Sequence, residues 1–326
     1  MKMRIKIGSR EIGDGCLPYI IAEVGSNFRN KQDCLTSITL AKKCGASAVK
    51  FQLYDHMGLY GVPGKLDSEL DPTWLPDLKS KADACGIEFM CTAFSPEGVE
   101  LVDKYVNVHK VASAECTHKR LLEAVRDTGK PVFLSTGAHG VKDIAEARMI
   151  LGGGVSVVVM YCVAAYPAQE IELNNLVLMK KTFETLVGYS DHSTDVLNIP
   201  VTACHWGNAA VLEKHVNFVA AQGPDAPHSL NPEQFKRMVD RIHNRHETRI
   251  GPTPEEKPMV LRHNRRLIAT RDVKRGDTFI EGANFGIYRS LKDDTHAFHP
   301  FAIDEVVGRL AKRDIAAGDG VGPGDV

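Results

Sequence analysis

A short apolar segment followed by a segment with helical spacing recurs along the first three quarters of the chain. Gly45, Gly86 and the pair Ser95 and Pro96 mark boundaries between the two kinds of segment. We count eight such units in roughly 230 residues, the usual size of a closed barrel. The apolar segments are hydrophobic on both faces, as parallel strands covered by helices are. The sequence therefore predicts an α/β fold, a (β/α)8 TIM barrel.

The strand and helix assignments follow from this repetition. An open doubly wound sheet is the alternative, but the first strand is not followed by the GxGxxG pattern of a dinucleotide-binding fold. Residues 5–12 predict a hairpin before the barrel, and residues 54–72 predict a long irregular loop. The predicted strands cover 18–25, 48–52, 88–94, 109–113, 131–136, 155–161, 185–190 and 209–215.

The composition changes after the last unit. The segment 251–258 contains three prolines and indicates a linker, which we place at 246–262. The barrel domain with its hairpin then covers 1–245. Residues 263–326 predict a small β-rich domain with short strands at 266–270 and 277–280.

Charge and cysteine content limit the classes of function. The 326 residues carry a formal net charge of -1, without the basic surface of a nucleic-acid-binding protein. No apolar run of eighteen residues predicts a membrane span, and the first residues lack the apolar core of a signal peptide. The eight cysteines form no CxxC pair. We expect a reduced, cytoplasmic protein without membrane or nucleic-acid partners.

Two histidines follow neighbouring predicted strands. His192 and His215 each stand at the carboxyl end of an apolar segment. In a parallel barrel these ends meet at one mouth, where two neutral imidazoles can share a divalent cation. The alternative is that both are ordinary loop histidines.

Other polar residues stand at the same predicted strand ends. Lysines beside short hydroxyl groups are typical of a phosphate pocket without a P-loop. Together with a metal ion they favour carbon–carbon or phosphoryl chemistry on a small phosphorylated substrate. The strand-end residues are Glu23, Lys50, Gln52, Thr92, Lys110, Ser113, Glu115, Ser135, Thr136, Tyr166, Ser190 to His192 and Glu213 to His215.

Six segments, 21–27, 48–52, 110–115, 134–137, 188–192 and 213–215, occur in the order of a known set of motifs. Gly223, Pro224 and Asp225 continue the pattern, as does the carboxyl-terminal region. In these motifs the chain resembles the sialic acid synthase family, whose members carry an antifreeze-like (SAF) domain. The resemblance implies condensation of phosphoenolpyruvate with an open-chain amino-sugar aldehyde, giving a nine-carbon 2-keto-3-deoxy acid and phosphate.

The resemblance also implies roles for individual residues. His192 and His215 would hold Mn²⁺, with Mg²⁺ or Co²⁺ as alternatives, and the ion would polarise the aldehyde. Arg289 aligns with an arginine that one subunit inserts into its partner's barrel, which implies a domain-swapped homodimer. Lys50 and Lys110 would be catalytic, as would Glu23 and Glu115, the candidates to activate water. The implied substrate-binding residues are Gln52, Ser113, Ser135, Tyr166, Ser190, Asp225 and Arg289.

The chain departs from the family pattern at three places. Ala164 stands where the family has a polar residue, two positions before Tyr166. The segments 288–294 and 216–222 also differ, and the first contacts the sugar's acyl group in the family. These departures leave the acceptor open. The resemblance implies N-acetylmannosamine or a related 2,4-diamino sugar, and the alternative is a different aldehyde, such as a sugar phosphate or a nucleoside-derived aldehyde. A non-catalytic carbohydrate-binding protein is the third hypothesis.

Overall fold

The computed structural model describes residues 3–152, 154–244, 251–292 and 294–326. The chain divides into two compact units, Met1–Arg245 and His246–Val326. Residues 246–250 of the predicted linker lie outside the described residues. None of the helices in the described part of the chain has the length and hydrophobicity needed to cross a lipid bilayer.

The strands of the first unit match the predicted apolar segments, and their alternating or wholly apolar patterns explain why they form. Most of the barrel strands are buried over their whole length. The strands are β1 (Arg4–Ile7), β2 (Arg10–Gly13), β3 (Tyr19–Glu23), β4 (Ala48–Leu53), β5 (Glu88–Ala93), β6 (His109–Val111), β7 (Val132–Ser135), β8 (Val157–Cys162), β9 (Val187–Asp191) and β10 (Val211–His215).

The eight strands from β3 to β10 form one parallel sheet in the order β5-β4-β3-β10-β9-β8-β7-β6. The first of them, β3, pairs with both β4 and the last strand, β10. Strand β6 also packs beside β5, so the sheet curls into a nearly closed barrel. The predicted TIM barrel is confirmed, and the open doubly wound alternative is wrong. The predicted hairpin is β1 paired antiparallel with β2.

The helices of the first unit begin at recognisable caps. Asn30 accepts a hydrogen bond from the Asp33 amide, and Ser95 accepts one from Gly98 with a proline in the first turn. Asn231 forms a capping box with Gln234. The helices are α1 (Lys31–Lys43), α2 (His56–Tyr60), α3 (Leu75–Cys85), α4 (Pro96–Asp103), α5 (Lys119–Asp127), α6 (Val141–Leu151), α7 (Asn174–Phe183), α8 (Asn198–His205) and α9 (Pro232–His243).

The loop predicted at 54–72 has more structure than expected. It contains α2, which Asp55 caps at its start, and it ends in a 3₁₀ helix, Pro72–Trp74. The five residues of α2 are too few to show a helical period in the sequence, which is why only an irregular loop was predicted.

The amino-terminal end of the barrel is filled with apolar side chains. Tyr19, Met90 and Phe133 lie in one cluster with Ile7 and Ile12 of the hairpin. The Tyr19 and Phe133 rings meet edge to face with centroids 6.0 Å apart. The hairpin therefore covers the amino-terminal end of the barrel, and the polar residues that line a cavity lie at the carboxyl ends of the strands.

The second unit contains short elements around a small apolar core that includes Phe279 and Phe285. Its elements are α10 (Lys257–His263), β11 (Arg265–Ala269), β12 (Phe285–Arg289) and α11 (Ile303–Val306). Strand β11 matches the predicted strand at 266–270 and pairs antiparallel with β12. The strand predicted at 277–280 is wrong, because Thr278 forms only an isolated bridge with Leu310. Helix α10 occupies the end of the predicted linker 246–262.

Candidate active site

One cavity opens at the carboxyl end of the barrel. Because all eight strands point the same way, polar side chains from strands far apart in sequence reach this one place. Thr92, Phe94 and Glu213 also line it. The predicted site residues among its lining are Lys50, Gln52, Lys110, Ser113, Ser135, Tyr166, Ser190, His192 and His215.

Two lysines and two carboxylates form a buried charged group, and all of them except Glu23 line this cavity. Lys50 Nζ lies 2.9 Å from Glu23 Oε2 and 3.6 Å from Glu213 Oε1. Lys110 Nζ lies 3.8 Å from the same Glu213 oxygen. All four side chains are almost completely buried. Each charge therefore depends on its neighbours for compensation.

The electrostatics of the group differ from residue to residue. Burial raises the pKa of Glu23 to about 7, and repulsion from Glu213 adds to this against the attraction of Lys50. Burial also opposes ionisation of Glu213, but Lys110 and Lys50 outweigh it and lower the pKa to about 2. Burial lowers the pKa of Lys110. Glu213 is thus the fixed anion of the group, and Glu23 is the carboxyl suited to exchange a proton near neutral pH.

Hydroxyl groups surround the two lysines. Lys50 Nζ donates to Thr92 Oγ1 (3.0 Å), and Ser190 Oγ donates to Glu213 Oε1 (3.1 Å). Ser135 Oγ is buried and has no hydrogen-bond partner among the described residues. A buried, unpartnered hydroxyl beside two lysines fits a bound anion that would accept its hydrogen bond.

Imidazole rings line the other side of the cavity. The ring centroids of His192 and His215 lie 5.5 Å apart, and the Tyr166 ring stacks on His192 with centroids 4.3 Å apart. His192 Nδ1 lies 3.0 Å from the Val163 carbonyl oxygen, which leaves Nε2 available to a ligand. Burial lowers the pKa of His192 to about 4 and that of His215 to about 3. Both rings are neutral at physiological pH, the form that binds metal ions.

A divalent cation fits this set of donors. His215 Nδ1 is buried and lacks a hydrogen-bond partner among the described residues. It lies 3.8 Å from Asp225 Oδ2, too far for a hydrogen bond. Neutral imidazole and carboxylate together are common ligands of first-row transition metals.

The sequence profile of the NeuB family matches residues 63–251, which is more than half of the chain. The chain belongs to the NeuB family. The profile of the SAF domain matches residues 264–326. The resemblance to sialic acid synthases is confirmed, as is the prediction that the chain is an enzyme of the nonulosonic acid synthase type.

Individual relatives of this NeuB-family chain cover most of its length. It is 35% identical to the uncharacterized protein MJ1065 of Methanocaldococcus jannaschii, over 84% of this chain and 86% of that protein. It is 29% identical to the pseudaminic acid synthase of Campylobacter jejuni, over 94% of this chain and 96% of that enzyme. Among solved structures, the N-acetylneuraminic acid synthetase of Leptospira borgpetersenii has a TM-score of 0.71 and 27% identity, covering 80% of this chain and 96% of that one.

The remaining predicted residues lie outside the cavity lining. Glu23 is in contact with it through Gln52, whose Nε2 donates to Glu23 Oε1 (2.6 Å). Asp225 lies next to His215 at the mouth. Glu115 ends a 3₁₀ helix after β6 and is half-buried, and burial raises its pKa. Arg289 ends β12 in the second unit of this NeuB-family chain.

Two residues of the site had no role assigned from the sequence. Glu213 was noted only as a strand-end residue, although it shares a face of β10 with His215 two positions on. This spacing of two residues along a strand could have identified Glu213 as a residue of the site. His228 was missed because it follows no strand and lies in a 3₁₀ helix, Ala226–His228. Its ring centroid lies 4.8 Å from that of His215.

Ala164, the departure from the family pattern, contributes only a methyl group. It lies in the loop after β8, close to Gly137. The Gly137 amide donates to Ser113 Oγ (3.0 Å). The hydroxyl group of Ser113 therefore lies in this part of the cavity, although position 164 carries no polar side chain.

Proposed function

We propose that this chain condenses phosphoenolpyruvate with an open-chain amino-sugar aldehyde. N-acetylmannosamine or a related 2,4-diamino sugar is the acceptor. The products are a nonulosonic acid of the 2-keto-3-deoxy class and inorganic phosphate. What carries the proposal is a single arrangement: two buried lysines with a free hydroxyl lie beside a pair of neutral imidazoles in one cavity.

The lysine side of the cavity suits the phosphate and carboxylate of phosphoenolpyruvate. Lys50 is compensated by Glu23 and Glu213 in the group described above, whereas Lys110 has only the longer 3.8 Å contact with Glu213. The positive charge of Lys110 is therefore less compensated than that of Lys50 and can bind an incoming anion. The unpartnered Ser135 hydroxyl supplies a donor to the same anion.

The reaction balances with one water molecule. C3 of the enol forms the new carbon–carbon bond to the aldehyde carbon, whose oxygen takes up a proton. Water adds to C2, and the bond from C2 to the phosphate oxygen then breaks to release phosphate. Glu23 is proposed to accept the proton of that water, because with a pKa near 7 its carboxyl group can be either ionised or protonated at neutral pH. Glu115 remains the second candidate for this role.

His192 and His215 are proposed to hold the divalent cation, Mn²⁺ or else Mg²⁺ or Co²⁺. When bound, such an ion polarises the aldehyde carbonyl as a Lewis acid. Tyr166 stacks on His192 and limits the positions its ring can take. Asp225, beside His215, is proposed to hold hydroxyl groups of the sugar.

An unphosphorylated acceptor is supported by the charges next to the cavity. Phe94 also borders a neighbouring pocket under the loop that contains α2. That pocket is lined by Asp55, Asp67, Glu69, Asp71 and Glu97, with Lys65 as its one basic residue. These carboxylates would repel a second phosphate group. We therefore consider a sugar phosphate a weaker candidate for the acceptor than a neutral amino sugar.

A panel of aldehydes, assayed for phosphate release with mass spectrometry of the products, tests the proposal. We expect phosphate release only when a neutral amino-sugar aldehyde and a divalent metal are both present. Chelator-treated protein is the matched control and should not turn over. Binding of phosphoenolpyruvate without turnover on any aldehyde would contradict the proposal and favour a carbohydrate-binding role.

A further inference from the structure

His228 is a buried histidine that none of the proposed steps uses. Only 3% of its surface is exposed. Its Nε2 has no hydrogen-bond partner among the described residues, although Asp225 Oδ1 lies 3.8 Å away. A buried imidazole nitrogen without a partner is costly unless a ligand completes it.

The same geometry occurs on the other side of Asp225. His215 Nδ1 also lacks a partner and lies 3.8 Å from Asp225 Oδ2. The ligand atoms of His215, Asp225 and His228 all lie within 4.8 Å of one another. Two atoms bound to one cation at about 2.1 Å are themselves roughly 3 to 4 Å apart. The two 3.8 Å separations on either side of Asp225 therefore fit an ion shared with this carboxylate better than hydrogen bonds to it.

The carboxylate at the centre of this cluster is held in place. The amide and hydroxyl of Ser26 both donate to Asp225 Oδ2, each at 2.8 Å. Ser229 Oγ donates to the Asp225 carbonyl oxygen (2.7 Å). Outer hydrogen bonds of this kind orient metal ligands before the ion arrives.

The backbone at Gly25, beside the cluster, leaves no space for a Cβ atom. Gly25 has φ +57°, and a Cβ built there would lie 2.4 Å from Asp225 Oδ2 and 3.2 Å from His215 Nδ1. The carboxylate and the imidazole thus approach the chain as closely as only a glycine permits. This close approach is a second observation, independent of the unpartnered nitrogens, that places the three groups together.

We propose that His228 is a ligand of the divalent cation, which it holds together with His215 and the carboxylate of Asp225. The assignment rests on the proposed function for its use of a cation, and it adds to the His192 and His215 pair implied by the family resemblance. It gives the Asp225 carboxylate a role at the ion in place of the contact with the sugar hydroxyl groups. Two imidazoles and one carboxylate favour first-row transition ions over Mg²⁺. The ring centroid of His192 lies 5.5 Å from that of His215, but His192 is not part of this cluster among the described residues.

Metal affinity without substrate tests this assignment. Mn²⁺ and Mg²⁺ are titrated calorimetrically into metal-free full-length protein and its variants. His228→Ala should weaken Mn²⁺ binding at least about tenfold and Mg²⁺ binding less. His118→Asn, which changes an exposed histidine and keeps a helix cap, should leave both affinities unchanged.

A spectroscopic readout separates a ligand from a structural residue. The visible bands of the Co²⁺ protein should shift in His228→Ala, because one nitrogen donor is lost. His228→Gln keeps the side-chain volume, and it replaces His228→Ala if thermal unfolding indicates that the alanine variant does not fold. Unchanged Mn²⁺ affinity and an unchanged Co²⁺ spectrum would overturn the assignment.

The test also distinguishes this assignment from the proposed function. Weakened Mn²⁺ binding in His228→Ala, together with no turnover of the parent protein on any aldehyde, supports the ligand and contradicts the condensation. Normal turnover with unchanged metal affinity in His228→Ala supports the condensation and removes His228 as a ligand.

Discussion

Glu23 and Lys50 are paired across β3 and β4, and their side chains form an ion pair of 2.9 Å that is almost completely buried. Lys50 also faces Glu213 from the last barrel strand. Because Lys110 of β6 lies 3.8 Å from the same Glu213 carboxylate, four strands contribute one residue each to this charged group. Because a buried charge is costly when its partner is removed, changes in this group should affect both catalysis and stability.

Replacing Glu23 by Gln should lower kcat by about a hundredfold or more, the usual contribution of a general base. The KM for phosphoenolpyruvate should not rise, because the cavity loses a negative charge. Steady-state kinetics with phosphate release measures both. Glu100→Gln, on the exposed face of α4, is the control. A kcat within threefold of the parent would remove Glu23 from the proposed proton transfer.

The same variant should change the pH dependence of stability. The pKa of Glu23 is raised from 4.5 to about 7, so the folded protein binds a proton between these values that the unfolded chain does not. The contribution of Glu23 to stability therefore falls as pH rises through about 7. The free energy of unfolding of Glu23→Gln, measured with urea and expressed relative to that of the parent, should therefore increase as the pH is raised from 5 to 8. A difference independent of pH would contradict this.

Replacing Lys110 by Met should raise the KM for phosphoenolpyruvate at least about tenfold, since a charge-assisted contact to the anion is lost. The stabilisation of the protein by phosphoenolpyruvate in thermal unfolding should fall in parallel. Lys142→Met, an exposed lysine of α6, is the matched control. If KM stays unchanged while kcat falls, Lys110 does not bind the substrate in its ground state.

Replacing Gly25 by Ala should displace Asp225, because the new Cβ would lie 2.4 Å from its Oδ2. We expect weaker Mn²⁺ binding and a loss of activity of about tenfold or more. Gly129→Ala is the control: its φ of +70° imposes a similar backbone cost, but nothing lies within 4 Å of the added methyl group. Equal metal affinity in the two variants would argue against a close-packed cluster.

The predicted domain-swapped homodimer can be tested by complementation. His215→Ala and Arg289→Ala should each be inactive if Arg289 of one subunit completes the barrel site of its partner. Co-expressed in equal amounts, they should regain about a quarter of the parent activity, since half of the dimers would then contain one intact site out of two. Activity no higher than that of the single variants would contradict an exchanged arginine.

Much of the barrel could be predicted from the sequence because its strands are apolar on both faces and its helices begin at clear caps. The rule that polar residues at strand ends share one mouth located Lys50, Lys110, His192 and His215 in one cavity. The pairing of Glu213 with both lysines could not be predicted, because it depends on how the barrel closes.

Features away from the strand ends were harder to predict. His228 follows a proline in a 3₁₀ helix, where no periodic pattern marks it. In the second unit, β12 contains Gly286 within a turn-rich region and was not recognised as a strand. Thr278 belongs to a segment with strand-like composition that makes only one bridge, since the small domain is built largely from turns.

The pairing of β3 with β10 places Glu23 beside His215 in register, although the two are almost two hundred residues apart in the chain. A nascent polypeptide therefore emerges from the ribosome with its first barrel strand long before the strand that must lie next to it. Until β10 is synthesised, Lys50 lacks Glu213 and the edge of β3 is exposed. The charged group of Glu23, Lys50 and Glu213 can therefore form only after β10 has been synthesised and has paired with β3.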